Sequence, residues 1–242
     1  MSSDRSAAAS AAVMMTAALF YPLVTLFALL SGHFAELFCD PVCAALFMAL
    51  AGALSVPILK NAAGSNAFIR VSVSLLPLLS VINWVLYLTG FDNYEPFLNL
   101  LTSGAMIVLF CIAGLLVIKC CRKLSVKIVF CAVPGLFALI LAVISFFAAI
   151  FASIGKTEVV QAVSSPDGRY VAELIDDDQG ALGGSTLVWV RRNTDVDLVV
   201  IRLKSFSQSI YTGRWGEFHD MTLEWKDDRS ILINGTEYPV FD

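Results

Sequence analysis

Only two histidines occur in this sequence, no cysteine follows Cys131, and no charged side chain lies within its long apolar runs except at their ends. Each shortage removes a class of function. So few histidines leave no recognisable zinc ligand set, and the last third, lacking cysteine, cannot be a disulfide-stapled scaffold. Ionisable groups inside a membrane usually mark proton relays or ion paths, so their absence disfavours proton-coupled transport. Neither GxxxxGKS nor GxxxxGKT occurs, so ATP-driven work would need another subunit. No internal repeat or pair of interrupted helices suggests a secondary transporter. The formal charge of −4 argues against nucleic acid as a partner.

What is present is hydrophobic: 58 % of the 242 residues are apolar and only 15 % are charged, with a mean hydropathy of +0.78. That composition belongs to an integral membrane protein, with the lipid bilayer as its first partner. Five runs, 11–31, 42–59, 69–88, 97–118 and 128–154, approach or exceed the ~20 residues that a helix needs to cross about 30 Å of hydrocarbon. The first run continues through Phe20 to Leu30 with no clean small-residue cleavage site, so it is expected as a retained helix rather than a signal peptide.

Orientation follows from Lys and Arg in the short loops. Lys60 and Arg70 flank the second-to-third loop, and Lys119, Arg122, Lys123 and Lys127 lie in the fourth-to-fifth, whereas the other two loops carry only acids. The amino terminus is therefore expected in the cytoplasm, and five spans place residues 156–242 outside. That region holds nine basic and fifteen acidic residues, a formal −6. The expected division is a helical membrane domain over 1–155 and an extracytoplasmic β-domain over 156–242. A small exported domain without disulfides suits the cytoplasmic membrane of a bacterium.

Cys39 and Cys43 have helical i, i+4 spacing and Cys120 and Cys121 are vicinal, but no histidine stands near enough to complete a metal set; these are read as small packing residues. His33 is expected to be solvated near the outer interface. Ser72, Ser74, Ser80 and Asn83 in the third run, and Thr102, Ser103 and Gly104 in the fourth, are expected to join helices. Trp84 and Tyr87 read as interface anchors.

Beyond Lys156 the periodicity changes to two. In "GRYVAELI" the residues Tyr170, Ala172 and Leu174 alternate with Val171, Glu173 and Ile175, and "TLVWVRR" and "MTLEWKD" behave alike. Pro166 and Gly168 suit a type I turn between "VVQAVS" and "RYVAELI", and Asn234-Gly235 is the signature of a type I′ hairpin. Seven or eight short strands are expected in an antiparallel sandwich or small open barrel.

The ordered set "SPDGRY" (165–170), "GGST" (183–186), "LEW" (223–225) and "ING" (233–235) resembles the bacterial family called domain of unknown function 5412, small exported domains often attached to membrane helices. The resemblance covers about 75 residues and none of the five spans. Trp215 in "IYTGRWGEF" is displaced from Tyr211 relative to the aromatic-rich strand expected there, which leaves the strand register open. That family has no established activity, so the resemblance implies no catalytic residues.

Candidate sites are few. Asp176, Asp177 and Asp178 are read as a loop leading out of a strand, where two acids could share a cation, although the alternating acids of a Ca²⁺ loop are missing. His219 and Asp220 have no nucleophile elbow beside them. Trp189, Tyr211 and Trp215 are candidate binding aromatics, with core packing as the alternative use. The expected function is non-catalytic and cofactor-free: binding or sensing an envelope component, an envelope protein or another membrane subunit. A carrier, channel or lipid-handling unit capped by the β-domain comes second, and an envelope enzyme third.

Overall fold

The structure, a computed structural model, describes residues 2–37, 41–89, 96–152, 155–180, 183–198 and 201–240. Cys39 of the Cys39/Cys43 pair, and the loop acids Asp40, Asp92 and Glu95, lie outside the described residues. Two compact units emerge: Met1–Phe27 with Glu36–Ala149, and Ala28–Ala35 with Ile150–Asp242.

The first unit is helical because a bilayer offers no water to unpaired backbone groups, so each crossing segment must satisfy its own. Helices α1 (Ser2–Leu30), α2 (Pro41–Lys60), α3 (Ala67–Thr89) and α4 (Pro96–Cys120) are followed by the short α5 (Leu124–Lys127). A π turn, Ile128–Ala132, joins α5 to α6 (Val133–Ala152). Pro134 lies just beyond that turn and has no N–H to donate to the carbonyl four residues back, a common setting for such a widening. Among the described residues, five stretches are long and apolar enough to cross a membrane: Asp4–Leu30, Val42–Lys60, Ala67–Thr89, Phe97–Cys120 and Leu124–Ile150. Helix α1 begins well before the expected residue 11 because "SAAASAA" is rich in the best helix former.

Burial ranks the helices. Half of the apolar window of α3 is enclosed and 39 % of that of α4, against 17 % for each of the other three. Large side chains such as Phe20, Phe27, Leu136, Phe137 and Phe147 point outward, a surface that suits lipid and not water. The thiols Cys120 and Cys121 are buried with Ile58, Ile69, Val73 and Leu116, as small packing residues. Asn83 Nδ2 donates to Ala18 O and to Leu79 O, each at 2.8 Å, and so ties α3 to α1. Ser80 instead donates to Leu76 O in its own helix, as does Ser74 to Arg70 O, although Ser74 Oγ also lies 3.3 Å from Cys121 Sγ.

The second unit is a small antiparallel β-sheet domain. Strands β2 (Lys156–Ser164), β3 (Tyr170–Asp178), β4 (Gly184–Arg192) and β7 (Ser207–Arg214) form one sheet in that order. Strands β8 (Leu223–Trp225), β9 (Ser230–Ile233) and β10 (Thr236–Pro239) form a second. A third contains β1 (His33–Leu37), β6 (Ile201–Ser205) and β5 (Val196–Asp197). Ala172 and Leu174 from β3, Val188 and Val190 from β4, and Leu223, Ile231 and Ile233 from the second sheet share one buried core. Trp225 stacks on Tyr170 and donates Nε1–H to Val163 O at 2.9 Å.

The expected hairpins are present. Gly168 N donates to Ser165 O at 2.9 Å across Pro166, and Gly168 has φ of 72°. Asn234 and Gly235 have φ of 50° and 77° between β9 and β10, the paired left-handed conformations of a type I′ turn. Two expectations are corrected. Asp176–Asp178 are not a loop: β3 continues through them because they pair on both sides, Asp177 with Thr157 of β2 and with Ser185 of β4. The segment after α1 is not merely a connection, since it supplies β1.

Candidate functional site

Strand β7 and the turn after it carry an open concavity of the β-domain. Residues 211–217 line an open cleft of about 780 Å³. Its shape is set from β4. Trp215 falls beside Gly184, where a Cβ would stand 2.6 Å from Trp215 Cδ1 and 2.5 Å from Asp177 O, so only glycine lets the indole lie against the strand. Trp215 nevertheless remains 54 % exposed. Thr186, fully buried, donates Oγ1–H to Arg214 O at 2.8 Å and accepts from Phe218 N at 3.3 Å. One threonine thus fixes both sides of the turn. Gly184 and Thr186 belong to "GGST", a motif whose role in the cleft could not be read before β7 was placed beside it.

The floor is charged and ordered. Tyr211 OH donates to Glu217 Oε1 at 2.7 Å, and Arg214 N donates to Glu217 Oε2 at 2.9 Å. These two bonds, the phenol first, hold the Glu217 carboxyl below its ordinary range. The same phenol–carboxylate bond pushes the Tyr211 hydroxyl above its ordinary range, with burial second. A depressed carboxyl stabilises the folded cleft above the unfolded pKa, and that contribution is lost as pH falls through the folded one. In Tyr211→Phe, Glu217 is expected to titrate nearer the free value of about 4.3. Carboxyl ¹³C NMR across the acid range checks this, and an unmoved midpoint would mean that the Arg214 N–H suffices.

The three candidate aromatics do not converge. Tyr211 and Trp215 line the cleft, although Tyr211 also packs edge-on against Tyr238 beside the buried core. Trp189 pairs with Ser209 and lies one residue beyond Val188, so strand alternation sends it to the other face of the sheet. The register shifts there: Val188 faces Tyr211 but Trp189 faces Ser209, leaving Ile210 as an extra residue. The bulge precedes Tyr211, and the ladder from Tyr211 to Arg214 is regular, so Trp215 lies just past the end of β7.

The aspartates also diverge. Alternation puts Asp177 on one face and Asp176 and Asp178 on the other. Asp177 Oδ1 accepts from Thr157 Oγ1 and Oδ2 from Gln179 Nε2, each at 2.9 Å, while Asp178 Oδ1 accepts from Gly180 N at 2.8 Å. Among the described residues no three His, Cys, Asp or Glu side chains gather so as to hold a metal ion. His219 lies on the 3₁₀ turn Glu217–Asp220, its ring 4.1 Å from that of Phe218.

His33 is not simply solvated. Its Nδ1 lies 2.9 Å from Ser31 O and its Nε2 3.1 Å from Thr194 Oγ1. A carbonyl can only accept, so Nδ1 carries a proton and donates to Ser31 O, while Nε2 meets the Thr194 hydroxyl. Thr194 Oγ1 is 2.7 Å from Ser205 Oγ, and Ser205 N donates to Asp195 Oδ1 at 3.0 Å. Phe34 adds a ring contact to Phe206 at 6.1 Å. These bonds fasten β1 at the third sheet.

No family model, curated protein or solved structure matches this chain.

Proposed function

We propose that this is a multi-pass protein of a bacterial cytoplasmic membrane, amino terminus inside, that displays its β-domain outside to bind an envelope component or partner protein at the cleft of residues 211–217. The observation that carries the reading is Trp215, a large aromatic left half exposed and seated against Gly184. Rigid, partly exposed aromatics set among polar groups are the usual energetic centres of binding surfaces. The shared core of the sheets β2–β3–β4–β7 and β8–β9–β10 supports a sandwich over an open barrel. "SPDGRY", "LEW" and "ING" fall on hairpin turns and a strand of that frame. "GGST" differs in that it also shapes the cleft.

One experiment tests both orientation and site. Thr212→Cys, an exposed lining position, is treated in intact cells with a membrane-impermeant thiol-to-amine crosslinker and compared with the parent chain. A captured species that disappears in Trp215→Ala is the expected result. Absence of reaction, or capture indifferent to Trp215, would overturn the proposal.

A further inference from the structure

On helices α3, α4 and α6, four buried polar side chains each carry an atom that makes no hydrogen bond. Trp84 is 1 % exposed, Asn99 0 %, Ser103 4 % and Ser145 1 %. Trp84 Nε1, Asn99 Oδ1, Ser103 Oγ and Ser145 Oγ have no hydrogen-bond partner among the described residues. The other end of the amide is engaged: Asn99 Nδ2 donates to Ser145 O at 3.2 Å. A carbonyl cannot donate, so this bond settles which amide atom is oxygen and identifies Asn99 Oδ1 as an unused acceptor.

Helical spacing puts Asn99 and Ser103 on one stripe of α4, and the Asn99–Ser145 bond ties that stripe to α6. Asn99, Ser103, Met106 and Phe110 step by four, three and four along α4, and Ala138, Leu141, Ala142 and Ser145 form one stripe of α6. Trp84 of α3 is buried in a cluster with Met106 and Ala138, against which Phe110, Leu141 and Ala142 pack. Depth agrees as well. Helix α3 ends at Thr89, α4 starts at Pro96 and α6 ends at Ala152, so at 1.5 Å per residue all four sit within about 5–10 Å of the same end.

Their chemistry selects the occupant. An indole N–H only donates, an amide oxygen only accepts, and a serine hydroxyl does either. No acid or base lies on these stripes, and an indole N–H lining the site would be unfavourable for a cation. Near-complete burial of all four groups limits the ligand to the smallest neutral donor–acceptor. We propose that Trp84, Asn99, Ser103 and Ser145 hold ordered water, which accepts from the indole, donates to the amide oxygen and uses the serine hydroxyls for its remaining bonds. Buried water typically makes about three such bonds. Here it links α3, α4 and α6 without placing a charge inside the membrane.

Proton-detected solid-state NMR of the full chain in lipid bilayers, with ¹⁵N-labelled tryptophan, tests the site. The Trp84 indole N–H, assigned by its loss in Trp84→Phe, is expected to show a cross peak to water. In Asn99→Leu that cross peak falls several-fold, while the signals of Trp189, Trp215 and Trp225 stay in place. Ser145→Ala, which removes only a hydroxyl, gives the same weakening and serves if Asn99→Leu fails to fold. A Trp84 indole proton that contacts no water, or meets the Asn99 or serine side chains directly, overturns the assignment. A water cross peak unchanged in the variants overturns it too.

Discussion

Leu174→Ala will open the β-domain to protease at concentrations that leave the parent domain intact. Leu174 is 1 % exposed in the middle of β3 and packs with Val188, Val190, Leu223 and Ile231 in the shared core. Truncating a fully buried leucine costs about 2–5 kcal/mol, because the lost methyl groups leave a cavity that the surroundings only partly refill. A domain of this size has on the order of 5–10 kcal/mol to lose. The open fraction should therefore rise roughly 30- to 5,000-fold, which pulse proteolysis of the full chain in membranes reports as faster cleavage within residues 156–240. Cleavage at the parent rate would show that the two sheets do not depend on this layer.

Gly184→Ala is expected to dislodge Trp215 and abolish capture at the cleft. The new methyl would lie 2.5 Å from Asp177 O as well as against the indole. The indole can swing away, but the carbonyl belongs to a strand paired on both sides. Overpacking of this kind costs about 1–3 kcal/mol, so the domain should fold with its aromatic surface displaced. Trp215 fluorescence, isolated as the difference from a Trp215→Phe control, should shift to the red as the ring gains water. An unshifted spectrum with full crosslinking from Thr212→Cys would remove Gly184 from the site.

The helices and hairpin turns were legible because their causes are local. About 20 apolar residues must become a helix in hydrocarbon whatever surrounds them. Pro166 restricts its own φ, and Asn234-Gly235 accepts left-handed dihedrals at little cost. Strand pairing has no such local code, since a strand's preference depends on its neighbours. "GHFAEL" therefore read as a loop with a solvated histidine until β6 took it as a partner, and the three aspartates read as a loop until β2 and β4 flanked them. The sequence by itself determined five apolar helices, a switch to strands after Lys156, and the two hairpin turns. Only the tertiary structure decided that Trp189 parts company with Tyr211 and Trp215, that Gly184 and Thr186 build the cleft, and that Trp84 Nε1, Asn99 Oδ1, Ser103 Oγ and Ser145 Oγ are buried without hydrogen-bond partners. Each of these depends on residues distant in the chain becoming neighbours, and only packing brings them together.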